Sequence, residues 1–443
     1  MKDLLKLLWV VAAVALVAPT TTLNLQTLFA DAGSPAHVQD DSGRDTRSGR
    51  GLVEERQAST PAPPLQFTLC PGDTATFRYK VYIPPAPAQA DILFAFDTTR
   101  SMDQVIDAAK EQAVEIMSNL QELMSDVHFG LVDFRDYPRD PYGLSTDWPY
   151  RLRQPLINHV PYVQMHIDEL QGDGGVDGPE AYTRALYEAY ADDHIGWRPE
   201  ARRFVIVFGD SVPHDDDLNA GVPAPQPHNP YDTWQTGYPP VYIDPGRDEQ
   251  DGTEDDLDFQ PVLGALRDRS ITLLFVVSDA RFEGLTTEDL LVYWQTWARM
   301  TGPGGDAKVL EDADTLPATI QSLVTAAVRH LNQLTVLVAP SWFDEWVTVT
   351  PPAYQDIDIP SQGLFRYFQV TITVPPNILA DHYMFDLIVE GDGTVYRRQR
   401  VEITVPATCF VTPTPTWEPL PTPRPRWSLY MPFVANNLVY WRP

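Results

Sequence analysis

Four runs of nearly continuous apolar residues, separated by polar and helix-like stretches, constrain the fold of this 443-residue chain more than any other feature. They read DILFAF from Asp91, HFGLVDF from His128, RFVIVFGD from Arg203 and ITLLFVVS from Ile271. Strands without polar alternation are buried on both faces, which is typical of a parallel sheet covered by helices on both sides. Apolar residues recur at helical spacing from Ile106 to Met124, in PEAYTRALYEAY and in the closing stretch DADTLPATIQSLVTAAVRHL, so these three stretches are predicted helices. We therefore predict a doubly wound, mainly parallel α/β domain over residues 91–330.

The segments on both sides of this domain alternate between apolar and polar residues, as strands with one buried face do. Before it, TATFRYKVYI follows a turn at Pro71-Gly72. After it come LTVLVA, WVTVTP, LFRYFQVTITVP, YMFDLIVEG and YRRQRVEITVP, with a hairpin turn at Gly391-Asp392-Gly393. We predict that residues 67–90 and 331–409 form one β-sandwich of the immunoglobulin-like class, with the α/β domain inserted in one of its loops.

The two ends of the chain have the composition of targeting and linker segments. The first residues, MKDLLKLLWVVAAVALVAP, combine lysines with an apolar run that is short for a membrane-spanning helix. We interpret residues 1–32 as a signal peptide or signal anchor, with a buried amphipathic helix as the alternative. Residues 33–66 are polar and rich in Gly, Ser and Pro, so we expect disorder there. Residues 410–426 are a Thr/Pro-rich spacer, and residues 427–443 are an aromatic tail.

Charge and cysteine content limit the partners and the compartment. The chain has 61 acidic and 32 basic residues, and its net charge of -29 repels nucleic acids and anionic membranes. We therefore expect no nucleic-acid partner. Cys70 and Cys409 are the two cysteines, and each lies beside a predicted strand. In an exported protein they would most simply form a disulfide, although two free thiols stay an alternative. These features predict a secreted or cell-surface protein.

Oxygen-bearing side chains follow three of the predicted elements. Asp97, Thr99 and Ser101 come after the first apolar run, Asp177, Pro179 and Glu180 precede a helix, and Asp210 ends RFVIVFGD. The carboxyl ends of parallel strands meet at one edge of the sheet, where ligands bind. Carboxylates and hydroxyls are hard ligands, suited to Mg²⁺, Mn²⁺ or Ca²⁺ and not to zinc. The first segment alone better fits a turn or a helix cap by Ser101 or Asp103. The three segments together predict a metal site.

This constellation resembles the von Willebrand factor A domain with its metal-ion-dependent adhesion site, and more closely the headpiece of integrin β-subunits. The resemblance covers residues 67–409. The segments that carry it are CPGDTATFRYKVYI, ADILFAFDTTRSM, HFGLVDFRDYPRDPY, DGPEA and IGWRPEARRFVIVFGD. An α/β domain inserted in a β-sandwich is also how integrin β-subunits place theirs in the hybrid domain.

The resemblance implies two adjacent cation sites. The primary ligands of Mg²⁺ or Mn²⁺ would be Asp97, Thr99, Ser101, Glu180 and Asp210, the last directly or through water. A possible accessory Ca²⁺ site would consist of Asp136, Asp177, the carbonyl of Pro179 and Glu180.

The sequence also departs from the family. Gly175 stands where the family has an accessory-site asparagine, and Gln104 and Val105 replace the two aspartates of a regulatory site. We therefore expect no regulatory cation and no integrin α-like partner.

The resemblance implies an adhesion protein that captures a protein ligand by its carboxylate through the bound cation. The alternatives are a scaffold in which the metal only stabilises the fold, and a metal-dependent hydrolase. We expect no enzyme activity, because GxSxG and P-loop patterns are absent from the sequence. His214 could act as a base beside Asp210, but a lone loop histidine is more typically solvated. We predict that the long segment 211–260 is a partner-contacting loop at the site face.

Overall fold

The computed structural model describes residues 62–223, 243–279 and 286–410, and a short backbone pairing of Val434–Ala435 with Leu438–Val439. The predicted signal segment, nearly all of the 33–66 linker, the spacer after residue 410 and the rest of the tail lie outside the described residues. None of the helices in the described ranges is both long and apolar enough to cross a membrane.

In chain order the main strands are β1 (Leu65–Thr68), β2 (Thr74–Ile83), β3 (Gln89–Asp97), β4 (Asp126–Phe134), β5 (Arg151–Ile157), β6 (Arg202–Gly209), β7 (Ile271–Val277), β8 (Asp306–Val309), β9 (His330–Ala339), β10 (Val347–Thr350), β11 (Ala353–Asp358), β12 (Leu364–Thr373), β13 (Asp381–Gly391) and β14 (Thr394–Val405). The α-helices within the described ranges are α1 (Asp103–Leu123), α2 (Val160–Asp168), α3 (Tyr182–Ala191), α4 (Phe259–Asp268), α5 (Thr287–Met300) and α6 (Leu316–Val328).

A six-stranded sheet in the order β5-β4-β3-β6-β7-β8 forms the centre of the α/β region. Neighbouring strands from β4 to β8 are parallel, and only β5 at the edge is antiparallel. The predicted mixed α/β class with parallel strands is therefore confirmed. The chain leaves β3 toward β4 on one side and later returns to β6 on the other side. This change of direction places the carboxyl ends of β3, β4 and β6 side by side, which is where open α/β sheets bind ligands.

Helices cover both faces of this sheet. On one face α1, α2 and α6 pack against Phe94, Phe96 and Phe208. On the other face α3, α4 and α5 bury Trp294 and Trp297 against Phe275 and its neighbours. Helix α5 begins with a capping box, in which Thr286 and Asp289 satisfy each other's backbone N–H groups. The sequence patterns predicted α1, α3 and α6, but α2, α4 and α5 were not predicted.

The flanking strands form two further sheets, in the orders β1-β14-β13-β9-β11 and β10-β12-β2. Alternate residues of β2 are buried, including Tyr79, Val81 and Ile83, and they face the interior shared with β12, β13 and β14. Strands β1 and β2 precede the α/β region and all the other strands of these sheets follow it. The predicted strand TATFRYKVYI is β2, and a separate strand, β1, precedes the turn at Gly72 and lies in the other sheet. Strand β1 also begins at Leu65, inside the segment expected to be disordered.

Cys70 and Cys409 form a disulfide with a Cα–Cα distance of 5.6 Å. The predicted pairing is therefore confirmed. The bond lies just beyond the parallel pairing of β1 with β14, where Leu65 to Thr68 align with Val401 to Thr404. It links residues 339 positions apart and holds the first and last strands of the β-region together.

A buried ion pair joins the α/β region to the β-region. Arg202, the first residue of β6, places its Nη1 atom 2.5 Å from Oδ2 of Asp392, and both side chains are almost fully buried. Its Nη2 donates to the carbonyl of His330 at 3.1 Å. Asp392 also accepts hydrogen bonds from the backbone N–H groups of Asn332 and Gln333, at 3.0 and 3.3 Å. One arginine thus fixes the β13–β14 turn and the start of β9 to the amino-terminal end of β6.

Candidate metal-binding site

Asp97 ends β3 and lies fully buried at the carboxyl edge of the sheet. Its Oδ1 atom accepts hydrogen bonds from the backbone N–H and the hydroxyl of Thr99, at 2.9 and 2.7 Å. The Thr99 hydroxyl lies 3.3 Å from that of Ser101. The alternative of a side-chain helix cap is wrong, because α1 has Met102 at its N-cap and no side-chain cap bond. The three oxygen-bearing side chains therefore converge at the end of the strand.

Two further loops bring Glu180 and Asp210 to the same edge. The backbone N–H of Glu180 donates to the carbonyl of Val212 at 3.0 Å, which aligns the DGPEA loop with the loop after β6. Glu180 is 3% exposed and Asp210 is 1% exposed, so both carboxylates lie in the interior. Within the described residues the buried Oε2 atom of Glu180 has no hydrogen-bond partner. The structure thus brings together all five residues predicted as primary ligands.

Tyr182 is a component of this site that the sequence reasoning missed. Its hydroxyl donates to Oδ2 of Asp97 at 2.6 Å and accepts from the backbone N–H of Ser211 at 3.3 Å. The phenol therefore links the end of β3 to the loop that carries Asp210. Any side chain at position 209 would collide with this phenol, so Gly209 is required there. No motif pointed to Tyr182, because its role depends on where α3 docks on the sheet.

Burial and like charge raise the pKa values of the acidic groups at the site. Burial raises the pKa of Asp97, although bonds from Tyr182 and Thr99 oppose the shift. The pKa of Glu180 is held well above its ordinary value, first by burial and then by the charges of nearby Asp97, Asp136, Asp177 and Asp210. Several buried carboxylates close together are costly unless a cation neutralises them.

The arginine whose charge acts on Asp97 has other partners. Arg135 lies 3.5 Å from Asp147, donates to the Gln171 carbonyl at 3.0 Å and stacks on the Trp148 ring. Its charge lowers the pKa of Asp97, but by less than the hydrogen bonds from Tyr182 and Thr99 do. The donor set of carboxylates and hydroxyls is therefore chemically suited to a hard divalent cation.

An open cleft of about 330 Å³ lies directly above these residues. Thr99, Ser101 and Glu180 line its floor, and an exposed ion pair of Arg100 with Asp173, 3.2 Å apart, lies at its rim. Solvent and a ligand group can therefore reach the Ser101 side of the site, whereas the Asp97 side is closed by Tyr182.

The residues predicted for the accessory site form a second cluster beside the first. Ligand atoms of Asp136, Asp177 and His214 all lie within 4.8 Å of one another. The Nε2 atom of His214 is 3.0 Å from Oδ1 of Asp136. His214 was expected to be solvated, but it is fully buried, and burial lowers its pKa. The buried Pro179 and Glu180 connect this cluster to the primary one.

Gly175, where the resemblance would place an asparagine, lies in a tightly packed glycine loop. It has a φ of +72°, and a Cβ atom there would approach Oε1 of Glu180 to 3.0 Å. Its backbone N–H donates to Asp147 at 3.2 Å, so the glycine loop is held by a residue that follows β4. No side chain from this position reaches the accessory cluster.

Part of the segment 211–260 packs against the accessory cluster instead of projecting from the surface. Asp244 is fully buried, and its Oδ1 accepts from the Tyr137 hydroxyl at 2.5 Å. Asp251 pairs with Arg139 at 2.6 Å. Residues 224–242 lie outside the described ranges, so the predicted partner-contacting role of this loop stays a prediction.

We expect the metal-free protein to lose stability as the pH rises from about 4 to 8. Burial raises the pKa of Asp177 to about 8, while an unfolded aspartate titrates near ~3.9. Between these values the folded state binds more protons than the unfolded state, so the free energy of unfolding falls as pH increases. This contribution is complete below the lower value and lost above the upper one. Melting temperatures in chelator at pH 5 and pH 8 should fall more for the wild type than for Asp177→Asn. An equal fall in both would contradict the prediction.

No protein-family model matches the chain. It is 26% identical over 132 residues to the alpha-protein kinase vwkA of Dictyostelium discoideum, which covers 29% of this chain and 20% of that protein. It is 22% identical over 189 residues to integrin beta-5 of Bos taurus, which covers 37% of this chain and 23% of that protein. Integrin beta-5 of Mus musculus matches with the same identity and coverage. The chain thus matches only about a fifth of the length of these relatives.

Solved structures give looser matches. The pilus adhesin SpaC from Lactobacillus rhamnosus GG, in its open conformation, has a TM-score of 0.35 and 12% identity, covering 75% of this chain and 45% of that one. Proximal thread matrix protein 1 from the mussel byssus has a TM-score of 0.33 and 14% identity, covering 57% and 48%. These TM-scores are too low to establish a shared fold. The sequence similarity to integrin beta-5 indicates an integrin-like relationship over part of the chain.

Proposed function

We propose that this chain is an extracytoplasmic adhesion protein that captures a protein ligand through a divalent cation. Its α/β region would be a von Willebrand factor A-like domain inserted in an immunoglobulin-like β-sandwich. The cation, Mg²⁺ or Mn²⁺, would be held by Asp97, Thr99, Ser101, Glu180 and Asp210. The partial similarity to integrin beta-5 and the disulfide between Cys70 and Cys409 support this assignment and an oxidising compartment.

The observation that carries the proposal is the cluster of buried carboxylates at the carboxyl ends of β3 and β6, where the chain changes direction across the sheet. Asp97, Glu180 and Asp210 are each 3% exposed or less. Glu180 raises the cost further, because its buried Oε2 lacks a hydrogen-bond partner among the described residues. A bound divalent cation would remove both penalties at once, by neutralising the charges and by occupying the unused oxygen.

The residues of the chain would leave the cation reactive toward an incoming carboxylate. Thr99 and Ser101 offer neutral hydroxyls, so the site neutralises less of the cation's charge than an all-carboxylate cage would. The Tyr182 hydroxyl donates a hydrogen bond to Oδ2 of Asp97 and so holds that carboxylate in one orientation. Thr99, Ser101 and Glu180 line the open cleft, so a cation held there would offer its positive charge to a ligand in that cleft. Arg100, at the rim, would attract an acidic ligand at longer range.

We expect Tyr182→Phe to weaken divalent-cation binding by about 10- to 100-fold, the range for losing a group that orients a metal ligand. The substitution removes one hydroxyl and leaves the ring, which contacts Phe134 and Trp294, in place. Calorimetric titration with Mg²⁺ would measure the loss. Tyr187→Phe is the matched control, because Tyr187 lies on the same helix and its ring packs edge-on against Tyr190. Wild-type affinity in Tyr182→Phe would contradict the positioning role.

Ligand capture is tested by immobilising the wild type and Asp97→Ala and applying cell-surface extract with Mg²⁺. We expect proteins that are retained by the wild type, released by chelator and absent from the variant. Blocking the carboxylates of the extract by amidation should abolish retention, because the ligand would contribute a carboxylate to the cation. Retention that survives both chelator and amidation would refute metal-dependent capture. A chelator effect on melting temperature alone would instead favour a scaffold stabilised by metal.

A further inference from the structure

We infer that Asp136, Asp177 and His214 form a second metal site that takes a first-row transition metal, Zn²⁺ foremost, instead of the Ca²⁺ expected at the accessory position. The inference goes beyond the proposed adhesion role and does not depend on it, since these three residues are not among the primary ligands. It rests on three observations: the spacing of the donor atoms, the burial of unused polar atoms and the chemistry of the donor set.

The spacing of the donor atoms fits a shared ion. One donor atom from each of Asp136, Asp177 and His214 lies within 4.8 Å of the others. Two ligands that bind one ion at ~2.1 Å are about 3.0 Å apart at right angles and about 3.4 Å apart in a tetrahedron. The distance of 3.0 Å between His214 Nε2 and Asp136 Oδ1 is therefore compatible with both atoms on one metal.

The alternative is that His214 and Asp136 form only a structural hydrogen bond. That alternative leaves three buried atoms unsatisfied within the described residues, namely Oδ2 of Asp136, Oδ1 of Asp177 and Nδ1 of His214. Asp136 and His214 are both fully buried, so water does not readily compensate them. The carboxylate oxygens aimed into the cluster are explained by a cation, and two carboxylates balance the charge of a divalent ion.

The donor chemistry distinguishes the metal. Ca²⁺ takes six to eight oxygen ligands, and imidazole is not among the donors it prefers. At this position Gly175 supplies no side-chain oxygen, and His214 projects a nitrogen into the cluster. The residues present therefore do not fit calcium. Imidazole with two carboxylates suits Zn²⁺ and its neighbours in the first transition series.

The position of the imidazole ring is fixed by its surroundings. The ring of Tyr142 packs edge-on against that of His214, with centroids 4.8 Å apart. His214 lies four residues beyond Asp210, and the pairing of Glu180 with Pro213 fixes the backbone just before it. A ring held in this way presents its nitrogen to Asp136 without further rearrangement, which favours binding over a flexible surface histidine.

The test uses the full chain carrying Asp97→Ala, so that the primary site does not contribute. After chelator treatment we expect one Zn²⁺ per chain, bound at least about 100-fold more tightly than Ca²⁺ in competition titrations. Replacing His214 with asparagine in that background should lower Zn²⁺ affinity by at least about 100-fold, since loss of an outer partner alone costs 10- to 100-fold. His194→Asn is the control, because the His194 side chain is 87% exposed and should not matter.

A second measurement covers the case in which the His214 variant does not fold. X-ray absorption of the Zn²⁺-loaded Asp97→Ala protein should contain the multiple-scattering signature of one buried imidazole, and His194→Asn should not change it. A zinc shell of oxygen alone would overturn the inference. So would Ca²⁺ binding as tightly as Zn²⁺, or unchanged Zn²⁺ affinity in His214→Asn. Failure of Mg²⁺ binding in the wild type would count against the proposed function but would leave these results untouched.

Discussion

Asp97→Ala should weaken Mg²⁺ binding by at least about 100-fold in calorimetric titration, more than the loss of a residue that only orients a ligand. Asp97 does two things at the site, because its carboxylate would bind the cation and its Oδ1 also holds the Thr99 hydroxyl at 2.7 Å. Its removal therefore costs one ligand and disorganises a second.

The same substitution should leave the metal-free protein as stable as the wild type or raise its melting temperature. Asp97 is a buried carboxylate that raises the pKa of Glu180, so its loss relieves charge repulsion. Mg²⁺ should then raise the melting temperature of the wild type only.

Asp173→Ala is the matched control for Asp97→Ala. Asp173 lies at the rim of the same cleft, but its side chain is 55% exposed and pairs with Arg100. It should change Mg²⁺ affinity by less than about threefold, as expected for an exposed charge. Equal heats of binding in the wild type and in Asp97→Ala would exclude the primary metal site.

Arg202→Ala should lower the free energy of unfolding by about 3–5 kcal/mol, the usual cost of breaking a buried ion pair from one side. The substitution leaves Asp392 charged and buried, and its remaining hydrogen bonds within the described residues come from the N–H groups of Asn332 and Gln333. It also removes the donor to the His330 carbonyl. Chemical denaturation would measure the loss, and the change should loosen the junction between the α/β region and the β-region.

Arg398→Ala is the control for this junction. Arg398 pairs with Glu200 at 3.1 Å across the same boundary, but both side chains are about half exposed. Exposed pairs contribute about 0–1 kcal/mol, so this variant should be nearly neutral. A double change of Arg202→Met with Asp392→Asn should recover part of the stability lost in Arg202→Ala, because no uncompensated charge stays buried. Similar losses in Arg202→Ala and Arg398→Ala would contradict the assigned importance of burial.

Strand prediction succeeded where the chain is buried on both faces and failed at the sheet's edges. Strands β3, β4, β6 and β7 are apolar along nearly their whole length, so the sequence alone identified them. Strand β5 is half-exposed and contains Pro155, and β8 has only four residues. An edge strand has one neighbour and less burial, so it has little apolar pattern to detect. The register of such a strand is decided by the neighbour it meets.

Helix prediction failed for a different reason. Helix α5 reads TEDLLVYWQTWARM, and its buried residues include Trp294 and Trp297. Helix α4 follows an acidic stretch that reads as a solvated loop, and its N-terminus is capped by Asp258 and by Asp215, which accepts the Phe259 N–H at 2.7 Å. Asp215 is 44 positions before Phe259, the first residue of that helix, so this cap is a tertiary contact that no local pattern contains.

The candidate metal site likewise has a part that the sequence predicted and a part that it did not. The sequence predicted the five primary ligands because each lies directly before or after a predictable strand or helix, and parallel strands end at one edge of the sheet. These ligands are Asp97, Thr99, Ser101, Glu180 and Asp210. Their meeting at one edge of the fold agrees with that expectation. The metal that they would bind stays a proposal.

The sequence by itself determined that the chain has an α/β core of buried parallel strands and that acidic and hydroxyl groups lie at their ends. Both follow from periodicity, which reports how much of each element is buried. Only the tertiary structure decided three contacts. Tyr182 donates a hydrogen bond to Asp97, His214 is buried against Asp136, and Arg202 forms an ion pair that joins the α/β region to the β-region. These contacts join residues 78 or more positions apart, and the burial of a polar side chain depends on what packs over it. The residues next to such a side chain in sequence therefore do not show whether it will be buried.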